Sequence, residues 1–362
     1  MKPEIDWIFS CKEKAKAFLT TMETKTPGRY KYSFSGDLYP DNIHWNLGAS
    51  VFALKIMYLL QIKDENKMQA AANYILSFKS SSSDIYDPIV FKKSFLRNFL
   101  GGLKRKEFNN FFNKAYISAD TRQSLSSLSL FDLVPKDFQF NYLKSEKEIT
   151  NFLNSFEWDK PWNAGSHFSH AMFFLNEAHK QERVSGEDFN ILVKSSIDWI
   201  NKIQSSADGC WYAGTVDLRN KINGAMKIIT GFLAVGIEEF PYANELVDTC
   251  LMAKNDNHAC DNFNIVLVLN YASKQLGRNY RQKEIEEFVV GKLTDYKKYY
   301  FENLGGFSFL EGKANDRYYG AKISNGKNEP DIHGTVLFLW GISIISQILG
   351  IENEVGLKEF RT

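Results

Sequence analysis

The sequence predicts an all-α protein of the α/α-toroid class, a closed or nearly closed double ring of helical hairpins. Three observations predict it. Apolar residues recur at helical spacing along nearly the whole chain, while strand-like alternation is nearly absent. Short glycine-aromatic turns stand between successive hairpins. The order of amphipathic helix, glycine-aromatic turn and apolar helix with a polar start returns at roughly 50 residues, the mark of a helical-hairpin array. In such an array the amphipathic helices, such as SGEDFNILVKSSIDWINKIQ, form an outer ring wetted on one side. Apolar helices such as INGAMKIITGFLAVGI and DNFNIVLVLNYASKQL are covered on both sides and form the inner ring. If the ring closes, the starts of the inner helices meet on one face.

The spacing predicts helices over 4–23, 46–62, 65–79, 119–133, 146–155, 163–181, 186–206, 221–237, 241–253, 260–276, 281–300 and 331–350, all in one domain spanning 1–362. The N-terminal stretch mixes acids, bases and apolar residues and has no uninterrupted apolar core, so it does not read as a signal peptide. Turns follow at Gly28 to Gly36 (GRYKYSFSG), Asp208 to Gly214 (DGCWYAG) and Gly305 to Phe309 (GGFSF). Residues 80–115 break the rhythm as an irregular insertion. A serine run opens it, and Lys92, Lys93, Arg97, Lys104, Arg105 and Lys106 then alternate with Phe91, Phe95, Phe99 and Phe108. Residues 91–106 are thus a candidate contact for anionic lipid, against the alternative of a solvated helix face with its Phe residues on the core. The run Gly334 to Ile351 is long enough to span a membrane, but Ser343, Ser346 and Gln347 interrupt it. It reads as a helix surrounded by other helices, and no transmembrane segment is expected.

With 44 Lys and Arg against 43 Asp and Glu, the chain carries no global field to attract nucleic acid. The four cysteines, Cys11, Cys210, Cys250 and Cys260, have no framework spacing, which predicts a cytoplasmic protein. Aromatic residues make up 15%, enough to fill a core or line a cavity.

Gln204 to Trp211, QSSADGCW, resembles the Q…GxW turn of the terpenoid cyclase repeat. GGFSF followed by DIHGTVLFLWGIS resembles the last repeat of protein prenyltransferase β subunits. The resemblance covers mainly residues 160–350 and implies a toroid. Prenyltransferase β subunits hold zinc through an Asp-x-Cys pair and a later His. Here His258, Cys260 and His333 stand at the corresponding places, with His258 in place of the aspartate, so the resemblance implies an alternative zinc site, although no cofactor is favoured. The DxDD and DDxxD runs of the cyclases are missing, as are GxGxxG, P-loop, GxSxG, HExxH and CxxC motifs.

Five of the six histidines, His44, His167, His170, His258 and His333, fall at or near expected inner-helix starts. Those starts also hold Trp45 and Asn46, Asp120 to Gln123, Trp162 and Asn163, Asn223 and Lys227, Asp256 to His258 with Asp261 and Asn262, and Asp331. Helix N-termini carry unpaired N–H groups and partial positive charge, so polar groups gathered there can hold an anionic or hydroxyl-rich ligand. The expected function is an enzyme on a carbohydrate or polysaccharide, lyase- or hydrolase-like, because α/α toroids serve such enzymes and a polar-aromatic cavity suits sugar hydroxyls. His167, His258 and His333 are candidate acids or bases, and Asp256 and Asp331 polarise them or act directly. Trp45, Trp162 and Trp211 are candidate stacking platforms. Asn46, Arg122, Asn163, His170, Asn223, Lys227, Asp261 and Asn262 are candidate substrate ligands. Asn223, Asp261 and Asp331 read equally well as helix N-caps, each stabilising by roughly 1 kcal/mol. A prenyltransferase- or cyclase-like enzyme on an isoprenoid or lipid-linked substrate is one alternative. A non-catalytic toroid that binds a partner is the other.

Overall fold

Helices supply nearly all the regular structure in a computed structural model that describes residues 5–35, 47–81, 84–105 and 114–361. The all-α class holds, and buried and amphipathic helices alternate as hairpins of a toroid require. The candidates His44, Trp45 and Asn46 lie outside the described residues. The chain, read from sequence as one domain, divides into two compact units. One comprises Met1–Pro135, His258–Cys260 and Leu293–Phe360, the other Lys136–Asn257, Asp261–Lys292 and Arg361–Thr362.

The first unit begins with a 3-10 turn and α1 (Cys11–Met22), then α2 (Leu47–Leu59), α3 (Glu65–Leu76), α4 (Pro88–Arg105) and α5 (Lys114–Ser129). Its later part holds α13 (Ile332–Leu349) and α14 (Glu352–Val355). Helix α2 packs on α3, α5 and α13. Both α2 and α13 are apolar on every side, and both are enclosed accordingly. The membrane-length segment is 78% buried in α13, with Ser343 and Ser346 donating to carbonyls one turn back. Two two-residue hairpins complete the unit: β1 (Tyr300–Phe301) with β2 (Gly306–Phe307), and β3 (Arg317–Tyr318) with β4 (Ala321–Lys322).

Residues 88–105, expected to be irregular, form the 18-residue helix α4. The reason is visible in the register. Phe91, Phe95 and Phe99 recur every four residues and stack in sequence, with centroids 5.8 and 6.0 Å apart. Asp87 caps the helix by accepting from the amides of Ile89 and Val90.

The second unit holds α6 (Glu146–Asn154), α7 (Pro161–Lys180), α8 (Gly186–Ile200), α9 (Leu218–Ala234), α10 (Ala243–Met252), most of α11 (Ala259–Gln275) and the first part of α12 (Gln282–Lys297). Ser145, Ser185 and Asp217 cap α6, α8 and α9 through their side chains. The Gln204–Trp211 turn is held by the Gln204 amide, which donates to the carbonyls of Gly209 and Pro241 at 2.9 and 2.6 Å. Gly209 sits at φ 69°, and a β-carbon there would stand 2.5 Å from the Tyr242 carbonyl. Trp211 points inward, edge-on to Phe232 and Phe240.

Helices α7 and α9 run closely packed, and Gly231 makes that possible. A β-carbon at 231 would lie 2.6 Å from the ring of Phe168 and 3.2 Å from the α-carbon of Ser169. Gly231→Ala is therefore expected to cost about 1–3 kcal/mol by overpacking. Urea unfolding should show a lower midpoint with an unchanged slope.

Candidate active site

The first unit contains a small pocket, with room of about 20 Å³, whose polar groups are two aspartates and three tyrosines. Asp87 stands at the N-cap of α4, Tyr116 and Asp120 one turn apart on α5, Tyr318 on β3, and Tyr32 before α2. Phe52 of α2 supplies an aromatic wall. Asp87 and Asp120 are 2% and 3% exposed, so each carboxyl is out of bulk water yet lines the pocket. Tyr318 donates its hydroxyl to Asp120 Oδ1 at 3.2 Å, and the Asp87 amide lies 3.5 Å from Asp120 Oδ2. The Tyr116 hydroxyl accepts from that same amide at 3.2 Å.

Burial pushes the Asp120 carboxyl up to about 7, helped by the charge of Asp87 and opposed by the hydroxyls of Tyr116 and Tyr318 and the Asp87 amide. Burial, and then the charge of Asp120, drives both tyrosines well above their ordinary range, with Asp87 adding to the shift of Tyr116, so they remain neutral. Asp120 thus stands near its midpoint at neutral pH, with partners that accommodate either form. A tyrosine hydroxyl can turn from donating to accepting when the carboxyl takes a proton.

Asp331 is a second buried carboxyl, also raised to about 7 by burial, but its surroundings differ. Oδ1 accepts from the Gly334 amide at 2.7 Å, and Oδ2 accepts from Phe309 and Asn315 amides at 2.8 and 3.0 Å. Backbone amides cannot reverse their role. These three amides make Asp331 a cap that ties the start of α13 to the 309–315 loop, with the Tyr32 hydroxyl also interacting with its carboxyl. Its backbone pairs with Ser33, and the next amide donates to the Tyr32 carbonyl at 3.0 Å, which holds the pocket tyrosine in place.

His333 stacks on Phe52 with centroids 4.4 Å apart and meets Tyr318 edge-on at 6.3 Å, one ring behind the pocket wall. His258 and His333 both pack on the ring of Phe309, at 5.2 and 4.7 Å. Cys260 lies in the first turn of α11, partly buried. Among the described residues no group of three or more His, Cys, Asp or Glu side chains is gathered as a metal site. Arg122 of α5 is buried, and desolvation lowers its guanidinium to about 10.

In the second unit the structure joins several expected ligands in one network. Asp261 is fully buried and accepts from Arg219 Nε at 2.8 Å, Asn223 Nδ2 at 2.8 Å and Asn257 Nδ2 at 3.2 Å. Asn255 and Asn264 donate to Asn223 Oδ1, and Lys292 bridges the Asn255 carbonyl and Asn262 Oδ1 at 3.1 and 3.4 Å. Asn262 in turn donates to the backbone carbonyl of Asp256, whose own side chain lies 3.6 Å from exposed Lys254. These hydrogen bonds connect protein to protein, so Asn223, Asp261 and Asn262 serve the interior of the unit. Lys227 is partly buried on α9 against Gly165 of α7.

Elsewhere in this unit, His167 stacks on Phe156 at 4.6 Å and meets His170 at 6.2 Å, and burial lowers its pKa. Trp162 lies under the Arg219 guanidinium at 5.9 Å, with Asn163 exposed beside it. Trp211 is fully buried, which removes it as a stacking platform: the turn that the sequence marks as special is special for packing.

Sequence reasoning placed Asp120 at a helix start but gave it no role, and it passed over Asp87. One signal was available. Aspartate is a poor helix former away from caps, and Asp120 sits one full turn inside α5, where only a buried partner or a function keeps it.

No protein-family model matches the chain, and no curated protein matches its sequence. The resemblance to terpenoid cyclases and prenyltransferases therefore stays at the level of turn motifs. Among solved structures, the chain is similar to the GH76A α-1,6-mannanase from Salegentibacter sp. HEL1_6, with 12% identity, a TM-score of 0.46, and coverage of 95% of this chain and 100% of the other. It is also similar to a protein from Actinoplanes, at 13% identity and a TM-score of 0.44, covering 93% and 99% of the two chains. Likenesses of this strength leave function to the residues themselves.

Proposed function

We propose that this chain is an enzyme acting on a carbohydrate by acid/base chemistry, and that the pocket around Asp120 is its site. One observation carries the reading: a buried carboxyl poised near neutrality stands beside a second carboxylate in a pocket walled by tyrosines and Phe52. Protonated Asp120 gives its proton to the oxygen of the leaving group as the glycosidic C–O bond breaks. Asp87, anchored by the first amides of α4, supplies the carboxylate that takes a proton from the attacking water. Tyr116 and Tyr318 orient the acid.

This reading moves the acid/base part from His258, His333 and Asp331 to Asp120 and Asp87. The two histidines pack on aromatic rings, and Asp331 spends both oxygens on backbone amides. His333 becomes a positioning residue behind Phe52. The mannanase neighbour is named for the same substrate class, but the proposal stands on Asp120 and its surroundings alone. The test is a panel of oligosaccharides and chromogenic glycosides followed by product release across pH. Turnover should fall as pH rises past about 7, because the acid loses its proton there. No release from any glycan, or a rate flat between about pH 5 and about pH 9 on an active one, would remove the proposal.

A further inference from the structure

Helix α4 points to a second activity, unrelated to the pocket's chemistry. Leu96, Leu100 and Leu103 are 64%, 55% and 45% exposed, and their spacing of four and three residues places them in one stripe. The other exposed large apolar residues, such as Ile191, Met252 and Leu304, are spread over distant segments. The same helix carries Lys92, Lys93, Arg97, Lys104 and Arg105 and no acidic residue along its 18 positions, in a chain whose net charge is only +1. Lys92 and Lys104 stand exposed with the leucines. On the adjoining face Phe91, Phe95 and Phe99 are partly buried with their rings in contact, and the first turn is secured to Tyr116 and Ala321 through Val90 and Phe91. The helix is therefore held by one face and offers another that is both greasy and cationic.

We propose that α4 is a membrane-docking helix that lies in the plane of an anionic bilayer, with the three leucines entering the acyl boundary and Lys92 and Lys104 engaging lipid headgroups. The combination selects this occupant. An apolar stripe alone would suit another protein, but uninterrupted positive charge beside it complements the negative surface potential of anionic lipid. The weak global charge, +1, leaves attraction to this helix and makes it local.

The test is co-sedimentation of the full chain with vesicles of phosphatidylcholine alone and with about 30% phosphatidylserine. Binding is expected only to the anionic vesicles and should weaken steeply with salt. Lys92→Gln with Lys104→Gln should weaken it roughly 30-fold, from about a tenfold or smaller effect per charge. Leu96→Gln, Leu100→Gln and Leu103→Gln together should abolish it while circular dichroism and melting stay unchanged. Equal binding to neutral vesicles, no binding to anionic ones, or a leucine variant that alters oligomeric state by light scattering instead would overturn the proposal; the last would make the stripe an interface between copies.

Discussion

Asp120→Asn is expected to reduce turnover by about 10²–10⁴-fold on any glycan the protein cleaves, and at the same time to make the protein more stable at alkaline pH. The two effects have one origin. Burial raises the Asp120 carboxyl from 3.8 to about 7, so the folded chain keeps a proton that the unfolded chain has already released. Stability contributed by this group therefore falls as pH rises between about 4 and about 7 and stays low above that. Asparagine keeps the shape and an acceptor for Tyr318 but never ionises, so it escapes the penalty. Thermal melting of both proteins should coincide near pH 4 and separate as pH rises, with the variant higher. A variant that retains full turnover would end the proposed role. Curves that stay parallel at every pH would show that Asp120 does not titrate in this range.

Asp331→Ala is expected to act in the opposite sense, by loss of stability on the order of 3–5 kcal/mol. The carboxylate accepts from the amides of Gly334, Phe309 and Asn315, and all three lose their partner at once inside the protein. Each buried donor left unmet costs about 1–3 kcal/mol. Asp331→Asn keeps one acceptor oxygen and should lie between. Denaturant unfolding at neutral pH separates this from a catalytic role: activity measured well below the lowered melting temperature should be largely kept. A variant that melts like the parent protein but does not turn over would return Asp331 to the chemistry.

The contrast between these two aspartates shows where reading a sequence stops. Both are buried acids, Asp120 inside α5 and Asp331 at the N-cap of α13, and their local sequences, SADTR and PDIHG, do not show which donors each will meet. They differ in the donors that other segments bring: mainly tyrosine hydroxyls for one, and three fixed amides beside the Tyr32 hydroxyl for the other. Tyr116 and Asp120 are one turn apart, but Tyr318 arrives from 198 positions away in sequence. Trp211 makes the same point from the other side. Its glycine turn was recognisable, while the direction of the indole, into Phe232 and Phe240, was not.

The helices themselves were legible because their causes are local. Apolar spacing, a capping Ser145, Ser185 or Asp217, and a glycine such as Gly350 at φ 68° act within a few residues of the turn that they start or stop. Helix α4, read as an irregular insertion with a solvated helix face as the alternative, has apolar residues that divide between a partly buried Phe row and an exposed Leu stripe, so no single face marks it as helical in a core. Sequence alone thus determined the all-α class, the order and most boundaries of the helices, and the burial of the membrane-length segment at 332–349. Tertiary structure alone decided which polar residues line the Asp120 pocket, cap a helix or join an interior network, because desolvation and hydrogen-bond partners are properties of the space between segments and have no signature within any one of them.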